Sequence, residues 1–226
     1  MTWLWYTTRA SGTVALVLLT LTIGLGVAQV SRVRSDRVPR FVLDGLHRHT
    51  SLLAAVFLTV HILTAVLDTF APITLINAFI PFTGAYRPLW LGLGATALDL
   101  LIAVGVTSLL RERLGHRSWR VVHWAAYAVW PIAFVHALGT GSDIREGWMG
   151  MIAVVCAAVV LGAGLIRISV GWPANRGRRL AAAAGALAYV VALMIWLPSG
   201  PLGPGWASRA GTPSRLLPSS HGRSGA

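Results

Sequence analysis

Residues 46–67 read LHRHTSLLAAVFLTVHILTAVL, and residues 119–138 read WRVVHWAAYAVWPIAFVHAL. Each is an apolar stretch with a histidine near its start and another near its end: His47 and His61 in the first, His123 and His136 in the second. The first pair is fourteen residues apart and the second thirteen. At ~1.5 Å per helical residue, both spacings are roughly 20 Å along a helix axis. Inside a hydrocarbon core of about 30 Å, one histidine of each pair lies near one surface and its mate near the other.

The whole composition is that of a membrane chain. Hydrophobic residues make up 55% of the 226, charged residues only 12%, and mean hydropathy is +0.68. The formal charge of +12 comes from arginine alone, since no lysine occurs. These arginines punctuate apolar runs instead of forming one basic domain, which argues against nucleic acid and for a code of membrane orientation. The single cysteine, Cys156, lies in an apolar run and leaves no intrachain disulfide possible.

Six segments have the length of a membrane span: Ala10–Val30, Thr50–Leu67 (extended back to His47), Pro88–Leu110, Val121–Leu138, Trp148–Ile166 and Leu180–Leu197. Backbone polar groups in hydrocarbon must be satisfied within the segment, so each is expected to be a helix. The predicted fold is an all-α six-helix membrane bundle over residues 10–197, between a short exterior N-terminal segment (1–9) and a disordered Pro/Gly/Ser-rich tail (198–226). The first segment is read as a retained helix, not a cleaved leader, because Arg32, Arg34, Arg37 and Arg40 follow it as a stop-transfer signal. Ala71–Tyr86 is apolar but short and interrupted by Pro72 and Pro81, so it is expected to lie across one end of the bundle as a lid.

Loops after the first, third and fifth segments hold most arginines: Arg32 to Arg48, Arg111 to Arg120, and Arg167 to Arg179. The positive-inside rule puts those loops in the cytoplasm and both termini outside a multi-pass plasma-membrane protein. Segments two and four then run in the same direction. His47 and His123 share the inner level, and His61 and His136 the outer.

Paired histidines at two levels suit two haems, each clamped between two imidazoles. A zinc site wants ligands converging within a few ångströms, commonly with Cys or carboxylate among them, and ligands roughly 20 Å apart along each helix cannot share one ion. A bis-imidazole iron has no open position, which favours electron transfer over oxygen binding. One difficulty is angular. At ~100° per residue, fourteen residues return within about 40° of the starting face, but thirteen leave His123 and His136 about 140° apart. Pro131 lies between them and can bend or rewind the helix; a lateral shift of one haem is the other solution. His49, twelve residues from His61, competes with His47, whose spacing better matches the second pair.

Leu46-His47-Arg48 opening a helix that reaches His61, with Trp119-Arg120-Val121-Val122-His123-Trp124 leading to His136, resembles the ferric-reductase-like transmembrane domain. That superfamily includes ferric reductases, NADPH oxidases and the haem subunits of periplasmic methionine sulfoxide reductases. The resemblance covers roughly residues 10–170. It implies that His47 pairs with His123 and His61 with His136 as axial ligands of two b-type haems. Larger members continue into flavin and nicotinamide domains; here no FAD or NAD(P) site and no glycine-rich nucleotide motif are visible. The implied donor is a separate flavoprotein or a quinol, and the implied acceptor lies outside, as ferric chelate, oxygen or a reductase partner. A quinol-linked haem subunit serving a periplasmic reductase and a non-redox transporter or scaffold are the alternatives.

Arginine binds carboxylates in a bidentate fashion, so Arg48 and Arg120 are inner candidates for haem propionates, with Arg87 and Arg145 the outer ones. Asp99, mid-span in the third segment, is a candidate acceptor for a ligand imidazole or a partner in an interhelical hydrogen bond.

Overall fold

A computed structural model of the chain describes residues 2–31, 39–141, 143–170 and 172–217. The expected arginines Arg32, Arg34 and Arg37, and positions 218–226 of the expected tail, lie outside the described residues.

Helices make up 81% of the described residues; the α-helices are α1 (Trp3–Val30), α2 (Arg40–Leu67), α3 (Leu75–Phe79), α4 (Pro88–Leu109), α5 (Arg111–His123), α6 (Ala126–Thr140), α7 (Gly147–Ser169), α8 (Arg176–Ser199) and α9 (Trp206–Arg209). Among the described residues α1, α2, α4, α7 and α8 are each long and apolar enough to cross a membrane, and α5 with α6 forms a sixth, bent span. Their outward faces carry residues such as Leu109, Val154, Leu187, Met194 and Ile195, all more than half exposed. Water would penalise that surface, whereas acyl chains are as apolar as the side chains themselves. The protein is an all-helical, multi-pass membrane protein.

Two ends can be distinguished. α1, α4 and α7 start, and α2, α6 and α8 finish, at what we term the termini end; the opposite, arginine-rich end carries α5. α1 starts two residues into the chain, with the Thr2 hydroxyl accepting from the Trp5 amide at 3.2 Å. The expected N-terminal segment 1–9 is thus mostly the first two turns of a helix. Pro39 precedes α2 in extended backbone, and α4 opens with Pro88 at its first position, where the missing N–H is no loss.

Helices α1 and α2 form an antiparallel hairpin, and α4 packs on α6. Hydroxyl groups that an apolar bundle must satisfy bond back along their own helices, Thr20 to the Leu16 carbonyl and Thr64 to that of Val60, each at 2.8 Å. A core of Leu16, Trp130, Phe134, Leu138, Ala153 and Cys156 joins α1, α6 and α7. Trp130 stacks on Phe134 and donates to Thr20 Oγ1 at 2.8 Å. These two aromatics therefore pack into the core.

The structure departs from the sequence reading at three places. The fourth span is not one straight helix: it breaks at Trp124–Ala125, where α5 and α6 meet at 43°. The loop expected from Arg111 to Arg120 is helical, with exposed side chains and a kink at Gly115, whose φ of 76° suits a residue without Cβ. The expected disordered tail is ordered as far as residue 217 and folds back over the termini end. Local periodicity could not reveal this, because the order comes from contacts with residues far away in sequence, described below.

Candidate functional site

At the termini end, α2 presents His61 and α6 presents His136, with ring centres 6.4 Å apart and planes at 84°. Each ring is fixed from behind. His61 Nδ1 lies 2.8 Å from the carbonyl oxygen of Thr8 on α1, and His136 Nδ1 lies 2.8 Å from that of Trp90 on α4. A carbonyl only accepts, so Nδ1 carries the proton in both rings and Nε2 keeps its lone pair.

Glycines make this approach possible. Gly12 sits one turn after Thr8, and a Cβ there would lie 2.8 Å from the His61 ring; Gly94 sits one turn after Trp90, and a Cβ there would lie 2.5 Å from the His136 ring. The same device recurs at the arginine-rich end. His47 Nδ1 meets the Thr22 carbonyl at 3.0 Å, and a Cβ on Gly26 would lie 3.3 Å from the ring. In the antiparallel hairpin, Thr8/Gly12 and Thr22/Gly26 on α1 mirror His61 and His47 on α2 at the same fourteen-residue spacing.

His123 is held differently. Its Nδ1 is buried without a hydrogen-bond partner, and its ring stacks on Trp119 at 4.8 Å. Hydrogen bonds from the amides of Ala125, Tyr127 and Ala128 run to carbonyls three residues back, a tighter turn than an α-helix. At three residues per turn each step adds ~20° over the α-helical value. Three such steps add about 60°, part of the ~140° mismatch between His123 and His136. The adjustment falls at Trp124–Ala125, whereas α6 runs through Pro131.

The residues present fit a haem at the termini end. With a metal–imidazole nitrogen distance of ~2 Å on each side, two axial imidazoles have ring centres about 6 Å apart, close to the 6.4 Å observed. Among the described residues no cluster of three or more His, Cys, Asp or Glu could hold a metal ion. The pair therefore offers two imidazole nitrogens as candidate ligands. It opens on an apolar cavity of about 250 Å³ between α1, α2, α4 and α6, lined along α6 by Val129, Ala133, His136, Ala137 and Thr140.

Other sequence candidates lie elsewhere. Arg48, Arg120 and His49 are exposed at the arginine-rich end. Arg87 is buried and donates to the carbonyls of Gly139 and Thr140 at 3.1 and 2.9 Å; Arg145 donates to those of Pro201 and Gly203. Neither lines the cavity. Asp99 receives none of the imidazole bonds, because backbone carbonyls take that role.

Arg9, which sequence reasoning passed over, does line the cavity, paired with Asp143. Its signal was its register, three residues before Gly12 on the same stripe of α1. Tyr86 also borders the cavity, and burial pushes its phenol above the ordinary value despite the opposing pull of Arg87, so it stays neutral.

The sequence model of the family described as ferric reductase like transmembrane component matches residues 11–134, from the first turns of α1 to Phe134 on α6. No curated protein and no solved structure matches the chain. The match covers more than half of the 226 residues and includes His47, His61 and His123, with His136 two residues beyond it. The chain belongs to the ferric reductase-like transmembrane component family, a family of membrane electron-transfer components.

Proposed function

We propose that the protein carries electrons across the membrane on two b-type haems, one held by His61 and His136 and the other by His47 and His123. The observation that carries this reading is the pair His61 and His136, with ring centres 6.4 Å apart and both Nδ1 atoms tied to backbone carbonyls. A bis-imidazole iron porphyrin supplies a one-electron carrier with no open coordination position. The chain's own residues orient it. Each carbonyl fixes a tautomer and ring plane and raises ligand basicity, and each glycine lets the imidazole seat against the neighbouring helix. The apolar walls keep water away from the carrier. Arg9 and the neutral Tyr86 offer hydrogen-bond donors where the carboxylate groups of a haem would meet the aqueous face.

Direction follows from charge. Arg48, Arg111, Arg113, Arg117 and Arg120 are exposed at the arginine-rich end, which the positive-inside rule assigns to the cytoplasm of a plasma-membrane protein. Electrons would enter there, from a separate flavoprotein with an acidic docking face or from a quinol. They would leave at the termini end, outside the cell, to ferric chelate, oxygen or a periplasmic reductase.

The test is a set of alanine variants read by reduced-minus-oxidised spectra and haem stoichiometry. His47→Ala and His123→Ala are expected to remove one and the same b-type component; His61→Ala and His136→Ala are expected to remove the other. A folded protein without a b-type spectrum, or loss that does not group by level, overturns the assignment.

A further inference from the structure

The chain after α8 does something specific. Pro201 is fully buried and Ala210 is 4% exposed, although both lie in a stretch rich in Pro, Gly and Ser. The indole of Trp206 joins those of Trp90 and Trp196, with ring centres 5.1, 5.8 and 4.9 Å apart in the Trp90–Trp206, Trp196–Trp206 and Trp90–Trp196 pairs. Its Nε1 donates to the Gly139 carbonyl at 3.1 Å. Gly139 has no room for a side chain, since a Cβ would lie 2.2 Å from the Trp90 ring.

Arg87 completes the connection. Its amide donates to the Gly211 carbonyl at 3.0 Å, its Nε to Thr212 Oγ1 at 2.9 Å, and its Nη1 to the carbonyls of Gly139 and Thr140. It does so with φ of 42°, a left-handed conformation that L-residues other than glycine rarely adopt. Trp90 supplies the carbonyl that holds His136, and Gly139 lies three residues beyond His136 on α6. Trp206, Gly211 and Thr212 therefore grip the start of α4 and the end of α6, the two elements whose relative position sets His136.

We propose that residues 200–217 form a clasp that positions the His61/His136 pair, acting through Trp90 and Arg87, and that Trp206 is its principal positioning residue. This rests on the reading that the histidine pairs hold haem. The clasp lies at the termini end. Among the described residues its contacts are with Arg87, Trp90, Gly139, Arg145 and Trp196, roughly 20 Å along the helices from the His47/His123 level, so its effect is confined to one level. Its residues lie beyond the family match, which ends at Phe134.

Redox titration and low-spin electron paramagnetic resonance on the full chain test this, with His61→Ala marking the termini-level component. Trp206→Ala is expected to shift or broaden that component, and to weaken its haem retention by about tenfold, as loss of a group orienting a metal ligand does. The arginine-level component should keep its signal and potential. Thr212→Val removes one hydrogen bond, leaves the indoles in place and should give a smaller shift of the same component. Trp206→Phe restores a ring without the Nε1 donor and should fall between wild type and Trp206→Ala. Unchanged signals in all three variants overturn the proposal. So does equal loss at both levels, which would mean a general folding role. A wild-type chain with no b-type spectrum instead overturns the haem reading, and the two failures are told apart by that control.

Discussion

At the scale of single residues, the site rests on backbone carbonyls and on missing side chains. Three histidines point Nδ1 at the carbonyl of a residue one turn before a glycine, Thr8 before Gly12, Thr22 before Gly26 and Trp90 before Gly94. A graded series follows. Gly94→Ala would place a Cβ 2.5 Å from the His136 ring and Gly12→Ala one 2.8 Å from that of His61, so both should strip the haem proposed at the termini level. Overpacking of this kind costs about 1–3 kcal/mol. Gly26→Ala, at 3.3 Å, should only shift the arginine-level component, and Gly105→Ala, with nothing within 4 Å, should leave both intact. Difference spectra of the four variants check the order. The histidine levels were legible in the sequence because spacing alone sets height along a helix. The carbonyl partners were not, because every residue has a carbonyl and only packing selects one.

At the scale of the helix, the thirteen-residue pair required an adjustment that its sequence left open between Pro131 and a lateral displacement. The chain tightens and bends at Trp124–Ala125, with three-residue-turn hydrogen bonds and a 43° bend. Pro131 stays inside α6, and its carbonyl accepts from the Tyr189 hydroxyl on α8 at 2.9 Å. Pro131→Ala is therefore expected to preserve both b-type components. Inserting one alanine between Trp124 and Ala125 would turn His123 by about 100° relative to α6. It should abolish the arginine-level component alone. Redox difference spectra of the two variants separate these outcomes; loss of a component in Pro131→Ala would move the adjustment to the proline. His123 also lacks the carbonyl that the other three histidines have and leans on Trp119 instead.

At the scale of the whole molecule, orientation is a property of the arginine distribution and is open to labelling. Cys156, the single cysteine, is 3% exposed and gives a silent background. A cysteine placed at the exposed Arg113 should react with an impermeant maleimide only after the cytoplasmic face is opened. One placed at the exposed Thr69 should react in intact cells. The reverse pattern would turn the electron path around.

The sequence by itself determined that this is a bundle of membrane helices, which of them carry the histidines, and how far apart along each helix they lie. Those properties depend on hydropathy, length and a fixed rise per residue, all local quantities. Tertiary structure alone decided how each imidazole is held, where the fourth span breaks and what becomes of the last residues. Arg87 illustrates the division. Its sequence context marked it as a cation near the end of a span and a candidate for an anionic group. The fold instead buried its guanidinium among the carbonyls of Gly139 and Thr140 and the Thr212 hydroxyl. A buried guanidinium must satisfy its donors wherever acceptors converge. Here that convergence joins residues separated by more than fifty positions, which no local pattern records.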